Sequence, residues 1–388
     1  MFINRNFYHF AAPVRAAETE DKTMLTTLPP EQKTDILSLL PAELEQSLTG
    51  MGLARFRAKQ VFLRLHRYEW ESFDDFTELP KAERARLAET YALPSIEVVR
   101  RQESALDGTV KYLFRLGDGN CVESVLMKYK HGNTLCVSTQ VGCKMHCAFC
   151  ASGLDGFVRN LSAGEILMQA AAARRDSGER VDGIVMMGTG EPLDNFEASV
   201  DFILLAGEKD GLGIGQRHIS LSTSGLVPKI RALAERKLAI TLSVSLHATR
   251  DEARSALMPV NRRYPIAELV QAATEYQRVT GRRVSYEYAV MAGVNDSERE
   301  ADELAALLRG TGAHLNLIRL NEVKETRFRA SAEQRLRQFV AALEARGLHV
   351  TVRRRLGADI NGACGQLRRS VQPPSGDVRR TQPETAEN

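Results

Sequence analysis

Residues 134–150 read TLCVSTQVGCKMHCAFC, and this stretch contains four of the six cysteines in a chain of 388 residues. Its first six residues predict a short strand, because apolar and β-branched side chains predominate in them. The residues that follow predict a loop, which carries Cys143, Cys147 and Cys150 at the spacing Cys-x3-Cys-x2-Cys. Thiolates this close in sequence can converge on one metal centre.

The cysteine triplet leaves three interpretations open: an iron–sulfur cluster with one open iron, a zinc site, or buried cysteines of the core. A structural zinc ion normally has four protein ligands, yet His146 lies inside the loop and no second cysteine pair follows. Three thiolates with an open fourth position are typical of a cluster that binds an exchangeable ligand. The spacing therefore favours the iron–sulfur cluster.

The chain after residue 133 alternates short apolar stretches with amphipathic ones. Six strands are predicted at TLCVST, GIVMMG, HISLSTS, AITLSVSLH, VSYEYAVM and HLNLIRL, with helices such as SAGEILMQAAAARR, PIAELVQAATEYQRV and EREADELAALLRG between them. The segment EQRLRQFVAALEARGLHVTVRR adds a last helix and strand. This pattern predicts an α/β fold with a parallel sheet, curved into a full or partial (β/α) barrel of the TIM type. Such a barrel carries its chemistry at the carboxyl ends of its strands.

The chain divides into five predicted segments. Residues 1–28 lack periodicity and predict a flexible extension. Residues 29–95 repeat apolar side chains at helical spacing, which predicts a small N-terminal helical accessory domain. Residues 96–132 contain two β-rich stretches around a Gly-Asp-Gly turn, so we expect a β-hairpin linker. Residues 133–371 would form the barrel and a C-terminal cysteine loop, and the Pro-rich, polar residues 372–388 predict a disordered tail.

The composition, with 43% hydrophobic and 26% charged residues, is that of an ordinary soluble globular protein. No apolar run approaches the length of a membrane span, and the N-terminal residues lack the apolar core of a secretory signal. We therefore expect a cytoplasmic protein with no membrane partner. The net charge is only +3, but arginines cluster toward the C-terminus at positions 327, 329, 353–355, 368 and 369. These clusters indicate either phosphate binding or a solvated charged face.

Further motifs narrow the interpretation of the cysteine triplet. GTGEP, residues 188–192, follows the second predicted strand, and together with the triplet it resembles the radical S-adenosylmethionine superfamily. Over about residues 30–370 the chain resembles the RlmN family of dual-specificity RNA methyltransferases and its antibiotic-resistance relative Cfr. The stretches that carry this resemblance are LCVSTQVGCKMHCAFCASG, VRNLSAGEI, VMMGTGEPLDN, LSTSGLVP, SVSLHA, MPVNRRYPI and INGACGQLR, with FRAKQVFLRLH, FDDFTELPK and DGTVKYLF in the N-terminal part.

The resemblance implies the cofactors and the residues that bind them. Cys143, Cys147 and Cys150 would hold a 4Fe–4S cluster whose open iron binds S-adenosylmethionine, the methyl and radical donor. Two donor molecules would be used in each turnover, and an electron donor such as flavodoxin would reduce the cluster. The positions that match donor-binding residues are Gly190, Glu191, Ser222, Ser245, Leu246, His247 and Asn321. Each of these motifs also has a purely structural interpretation. GTGEP could form a tight turn, His247 could be a core histidine, and Ser222 could cap a helix.

The resemblance also accounts for two cysteines outside the triplet. Cys364, in ACGQL, matches the cysteine that accepts a methyl group from one donor molecule, and a radical from a second molecule then removes hydrogen from that S-methyl group. The resulting carbon radical adds to an adenine ring carbon. Cys136 matches the cysteine that resolves this bridge and forms a transient disulfide with Cys364. Glu123 matches a carboxylate proposed as proton acceptor, and Cys121 is interpreted as a core thiol.

The residues alone leave alternatives to these assignments. Cys364 also suits a buried small hydrophobe, although the small neighbours Gly362, Ala363 and Gly365 favour close approach of a substrate. Glu123 also suits a solvent-facing position on a strand. The chain departs from its relatives at LIRLN, where Arg319 replaces the usual proline ahead of Asn321.

The resemblance implies an RNA substrate. RlmN-like enzymes methylate carbon 2 of one adenosine in the peptidyl-transferase centre of 23S rRNA, and dual-specificity members also the adenosine 3′ of some tRNA anticodons. We expect a monomer whose N-terminal module, which resembles a helix-hairpin-helix fold, helps to hold the RNA. Three alternatives remain: a Cfr-type methyltransferase acting on carbon 8, a zinc-stabilised RNA-binding protein without catalysis, and a radical enzyme that acts on a small molecule.

Overall fold

The computed structural model describes residues 33–154, 156–323 and 325–360. The predictions for the N-terminal extension, the C-terminal tail and Cys364 concern residues outside these ranges.

The N-terminal module is helical, as its apolar spacing predicts. On α2, residues Ala58, Val61, Phe62 and Leu65 recur at helical intervals and are buried. Two short parallel strands pair at the module's ends. The elements are β1 (Thr34–Asp35), α1 (Pro41–Gly50), α2 (Arg55–Arg67), α3 (Lys81–Thr90) and β2 (Tyr91–Ala92), with 3-10 turns at Ile36–Ser38 and Phe73–Asp75.

Among the described residues the main sheet has ten strands, and it confirms the predicted partial barrel. Its parallel strands are β6 (Gly132–Cys136), β9 (Gly183–Met186), β10 (Ile219–Thr223), β11 (Thr241–Ser245), β12 (Val284–Val290), β13 (His314–Arg319) and β14 (His349–Val352). They are ordered along the sheet as along the chain, so their carboxyl ends meet at one rim. A small separate sheet pairs β7 (Gln140–Gly142) with β8 (Phe157–Asn160).

Helices follow most of these strands and cover the outside of the sheet. They are α4 (Ala163–Ser177), α5 (Phe196–Gly207), α6 (Val227–Glu235), α7 (Asp251–Leu257), α8 (Ile266–Thr280), α9 (Glu298–Leu308) and α10 (Glu333–Ala345). Helix α4 begins with a capping box, in which the Ser162 hydroxyl accepts from Glu165 N, and ends at Gly178 in a left-handed conformation. Within the described ranges, no helix combines the length and apolar character that crossing a membrane requires.

Residues 96–132 extend the barrel sheet, which differs from the linker that the sequence predicts. The expected hairpin is present as β4 (Val110–Leu116) and β5 (Cys121–Tyr129), but β5 also pairs with β6. A third strand, β3 (Ile96–Glu103), pairs with β4 and forms the sheet edge. This edge strand was missed because it is half-exposed and rich in charged residues, which weakens the β signal.

Asp35 joins the N-terminal module to the barrel. One of its carboxylate oxygens accepts from Ser162 Oγ at 2.6 Å and from Ser38 Oγ at 2.7 Å, and the other accepts from Leu37 N at 3.0 Å. Ser38 Oγ in turn accepts from Gly164 N at 2.8 Å. The contact therefore lies at the N-terminal end of α4, where backbone amide donors are otherwise unpaired.

Replacement of Asp35 by Ala should weaken this junction. Three donors would lose their acceptor in a partly buried site, which we expect to lower the free energy of unfolding by about 1–3 kcal/mol. Urea denaturation measures the change. The control is Glu71→Ala, which removes an exposed carboxylate from the same module. Equal stability of the two variants would show that the Asp35 contacts contribute little.

Candidate active site

A cavity of about 280 Å³ opens at the carboxyl ends of the parallel strands. It is lined by the whole cysteine triplet and by six of the seven predicted donor-binding residues: Gly190, Glu191, Ser222, Ser245, His247 and Asn321. We call it the donor cavity. Leu246 is the exception, since its side chain is fully buried in the core and only its backbone reaches a neighbouring strand, donating to Glu287 O at 3.0 Å.

The loop that carries the triplet requires glycine at its entrance. Gly142 has a φ of +78°, and a Cβ there would lie 1.9 Å from Gly156 O. Cys143 N donates to that same carbonyl at 3.1 Å, and Ala148 N donates to Leu257 O at 2.8 Å. The loop is thus held both by its own sheet and by α7.

The three thiols fit a cluster better than the alternatives. Cys147 and Cys150 are only partly buried and line a cavity, unlike core cysteines. Burial raises the pKa of Cys143 and of Cys147, and a positively charged centre beside them would favour their thiolate forms. Among the described residues, no three His, Cys, Asp or Glu side chains lie close enough to bind one metal ion. Because all three cysteines line the same cavity, they would hold a 4Fe–4S cluster there, which would supply one-electron chemistry when bound.

Glu191 places a buried carboxylate in the donor cavity. Its two oxygens accept from Leu193 N at 3.1 Å and from Ser224 N at 2.6 Å, so the side chain also joins the loops after β9 and β10. Burial raises its pKa. The preceding Gly190 has a φ of +110°, and a Cβ there would lie 2.6 Å from Gln140 Cβ. Only glycine therefore lets this turn pass so close to β7.

His247 presents a neutral imidazole to the same cavity. Its Nδ1 accepts from Ala289 N at 2.9 Å, so the ring proton is on Nε2. The ring lies edge-on to Phe149, with centroids 4.9 Å apart. Burial, with a smaller contribution from the Arg254 charge, lowers its pKa to about 3. His247 is therefore a buried histidine and a cavity-lining N–H donor at once.

A second cavity of about 220 Å³ adjoins the first and contains Cys136. We call it the Cys136 cavity. The two cavities share four lining residues, which are Met187, Ile318, Asn321 and Arg353. Cys136 lies at the carboxyl end of β6 and is 9% exposed. Burial raises the pKa of its thiol, and the Arg353 charge opposes this increase.

Glu123 is not solvent-facing, so that interpretation is wrong. The side chain is 1% exposed and pairs with Lys111 Nζ at 3.0 Å. It lies on the same face of β5 as Val125 and Met127, because side chains alternate along a strand, and those two residues line the Cys136 cavity. Glu123 is the next residue on that face and is not among the residues that line the cavity.

Arg319, which replaces the usual proline, makes its own contacts. Its Nη2 donates to Glu333 Oε1 at 3.1 Å and its Nη1 to Arg353 O at 3.4 Å. The side chain therefore links β13 to the start of α10 and to β14, and it lines the Cys136 cavity.

Two charged residues of the site were missed from the sequence. Glu287 lines the donor cavity, accepts from Asn316 Nδ2 at 2.7 Å, and has a pKa raised by burial. Its signal was a lone carboxylate within the buried strand VSYEYAV. Arg254 is fully buried on α7, but the charged run RDEAR indicates a solvated helix.

The neutral state of His247 should make stability depend on pH. Its folded pKa lies below the ordinary value of 6.5, so its contribution is complete above pH 6.5 and is lost as the pH falls toward 3. Between pH 7 and pH 4.5, the titration of His247 alone should lower the free energy of unfolding by on the order of 3 kcal/mol. Asparagine tolerates the left-handed backbone conformation of residue 247. In His247→Asn we expect a lower free energy of unfolding at pH 7 and a smaller decrease of that free energy on acidification.

Urea unfolding of the metal-free protein at pH 7 and pH 4.5 measures this difference without interference from acid loss of a cluster. His131→Asn, at an exposed histidine, serves as the control. An unchanged pH dependence in His247→Asn would contradict the assignment of a neutral imidazole.

Comparison with known proteins agrees with this geometry. The Radical SAM superfamily model matches residues 137–305, and the model for the ribosomal RNA large subunit methyltransferase N-terminal domain matches residues 34–93. A probable dual-specificity RNA methyltransferase RlmN from Lachnoclostridium phytofermentans is 50% identical over 339 residues, 87% of this chain and 95% of that protein. One from Pelotomaculum thermopropionicum is 50% identical over 338 residues, 87% of this chain and 92% of that protein.

A solved structure shares this architecture over most of the chain. The crystal structure of a radical SAM methyltransferase from Sphaerobacter thermophilus superimposes with a TM-score of 0.80 at 46% identity, covering 86% of this chain and 98% of that one. Sequence identity over nearly the full length of these relatives, together with both family models, shows that the chain belongs to the RlmN family of radical S-adenosylmethionine RNA methyltransferases.

Proposed function

We propose that the protein methylates carbon 2 of a specific adenosine in the peptidyl-transferase centre of 23S rRNA, and of the adenosine 3′ of the anticodon in tRNAs, through an S-methyl group on Cys364. The observation that carries the proposal is the pair of adjoining cavities. One is lined by the triplet and the donor-binding residues, the other by Cys136, and four residues belong to both. A methyl-carrying thiol placed between them would reach both the donor and its resolving partner.

Roles for the cavity residues follow from their chemistry. Cys143, Cys147 and Cys150 would hold the 4Fe–4S cluster, which supplies one electron to S-adenosylmethionine when bound. The Glu191 carboxylate would accept from the donor's ammonium group, and His247 Nε2–H would donate to it. Asn321, exposed where the two cavities meet, would contact donor and substrate alike.

The described chain ends close to the position that Cys364 must reach. Leu356 lines the Cys136 cavity, Gly357 N donates to Asp107 Oδ2 at 2.9 Å, and the Asp359 carboxylate accepts from Ser104 Oγ at 2.6 Å. These contacts attach the chain to the turn between β3 and β4. Cys364 follows Ile360, the last described residue, by four positions, a span of at most about 14 Å. Use of two donor molecules per turnover is part of this proposal.

Two arginines at the cavity mouth support an RNA substrate. Arg354 and Arg355 line the Cys136 cavity and are exposed, and within residues 33–360 as described neither side chain makes a hydrogen bond or ion pair. They are therefore available to RNA phosphates, which would position the target adenosine without selecting the base. An electron donor such as flavodoxin and a monomeric state complete the proposal.

The first test is the identity of the product. Protein reconstituted anaerobically, with S-adenosylmethionine, a reductant and unmodified 23S rRNA or tRNA, should yield 2-methyladenosine by nucleoside mass spectrometry. Cys364→Ala should abolish the product and Cys136→Ala should block turnover, because each thiol makes or breaks a bond to the carried methyl group. Cys121→Ala, at a buried cysteine outside both cavities, should retain the product.

Other products would redirect the assignment. Formation of 8-methyladenosine would make this a Cfr-type enzyme, and a cluster-containing protein that modifies no RNA would favour a small-molecule substrate. Purification of a zinc protein without iron would favour the non-catalytic alternative. The role of Glu123 is tested in the same assay, where Glu123→Gln should reduce the rate about 100-fold or more if the carboxylate accepts a proton.

If Arg354 and Arg355 contact phosphates, the affinity for RNA should depend on salt concentration. Each phosphate contact contributes about 0.7–0.9 to the slope of log affinity against log salt concentration, so Arg354→Gln with Arg355→Gln should reduce the magnitude of that slope by about 1.4–1.8. Fluorescence anisotropy with an RNA fragment at several salt concentrations measures the slope. The control, Arg231→Gln, removes one charge from an arginine that pairs with Glu275 on the outer helices. An unchanged slope in the double variant would place the RNA elsewhere.

A further inference from the structure

Arg254 is a fully buried cation on α7, and its four hydrogen-bond acceptors among the described residues are neutral. Its Nη2 donates to Ser224 O at 2.7 Å and to Ser245 O at 2.8 Å, and its Nε donates to Leu246 O at 3.1 Å. Its Nη1 donates to Asn261 Oδ1 at 2.9 Å. Arginine suits this position because its planar guanidinium can reach four acceptors at once.

The carbonyls that Arg254 binds belong to the ends of β10 and β11. Ser224 and Ser245 line the donor cavity, and Leu246 immediately precedes His247. These two strand ends carry much of the donor site, and a single side chain ties them together. The guanidinium itself is held by Asn261, whose Nδ2 donates to Asp251 Oδ1 at 3.0 Å.

The same helix also holds the cysteine loop. Leu257 O, at the end of α7, accepts from Ala148 N at 2.8 Å. Met258 packs in one cluster with Cys147 and Phe149. Helix α7 and the turn after it therefore connect the loop that carries the cysteine triplet to the strand ends that carry the donor residues.

The charge of Arg254 has no carboxylate partner within 4.0 Å in the part of the chain that the structure describes. The Asp251 carboxylate is reached only through Asn261, and a buried charge without a directly paired counter-charge is costly. On its other side, the helix that carries Arg254 packs against the triplet loop, where Met258 lies in one cluster with Cys147. A cluster bound by three thiolates would be anionic and more so when reduced, so it would add a second counter-charge beside that of Asp251.

We propose that Arg254 is a positioning residue that sets the shape of the donor site and also favours the reduced state of the cluster. The inference rests on the proposed binding of S-adenosylmethionine beside the triplet. It assigns two separable effects to one side chain. The geometric effect depends on the planar fork of donors, and the electrostatic effect depends only on a positive charge at this place.

The test uses reconstituted holoenzyme without RNA. Two quantities are measured: the Kd for S-adenosylmethionine by equilibrium dialysis, and the midpoint potential of the cluster by a redox titration followed by electron paramagnetic resonance. In Arg254→Met we expect the Kd to rise tenfold or more and the potential to fall. In Arg254→Lys the potential should stay near that of the wild type, because the charge is kept, while the Kd rises. Asn261→Ala should also raise the Kd alone.

The matched control is Arg250→Met, four residues earlier, whose guanidinium pairs with Glu300 and Glu303 on α9. Both quantities should stay at wild-type values in it. An unchanged Kd in Arg254→Met would overturn the positioning effect, and an unchanged midpoint potential would overturn the electrostatic effect. If Arg254→Met does not retain its cluster, an unchanged Kd in Arg254→Lys and Asn261→Ala overturns the positioning role. Failure of the wild type to bind S-adenosylmethionine would instead overturn the proposed function.

Discussion

The parallel pairing of successive strands is the constraint on which the rest of the structure depends. Because β6 and β9 to β14 run in the same direction and in chain order, their carboxyl ends form one rim. Cys136, Glu191, Ser222, Ser245 and Asn321 are distant in sequence, yet each lies at or just beyond such an end. Backbone hydrogen bonding between the strands therefore brings the residues of the site together at one rim.

Two glycines and two buried charged side chains hold the loops at this rim in place. Gly142 and Gly190 let the cysteine loop and the donor loop pass against β7 and β8 at distances that no Cβ permits. Glu191 then joins the ends of β9 and β10, and Arg254 joins those of β10 and β11. Each of these polar side chains thus joins two strand ends, and Glu191 also lines the donor cavity.

The sequence predicts what depends on local pattern, and it fails where a residue's partner is distant. The six strands, the triplet loop and the meeting of the motif residues at strand ends were predictable because strand periodicity and motif spacing locate them. The ion pair of Glu123 with Lys111 depends on the register of β4 against β5, which pairs Leu113 with Glu123. The burial of Arg254 depends on carbonyls up to 30 residues earlier in the chain. No local sequence pattern reveals the Glu123–Lys111 ion pair or the burial of Arg254.

The burial of the Arg254 guanidinium has a consequence for the stability of the protein in a cell. Without an anionic cluster nearby, the folded chain carries a buried cation that backbone dipoles stabilise and that reaches the Asp251 carboxylate only through Asn261. Binding of a cluster at the triplet would therefore contribute to folding free energy as well as to activity. When iron is scarce, the unfolded fraction would rise and be exposed to proteases. The amount of this protein, and with it the extent of RNA methylation, would then follow the supply of iron.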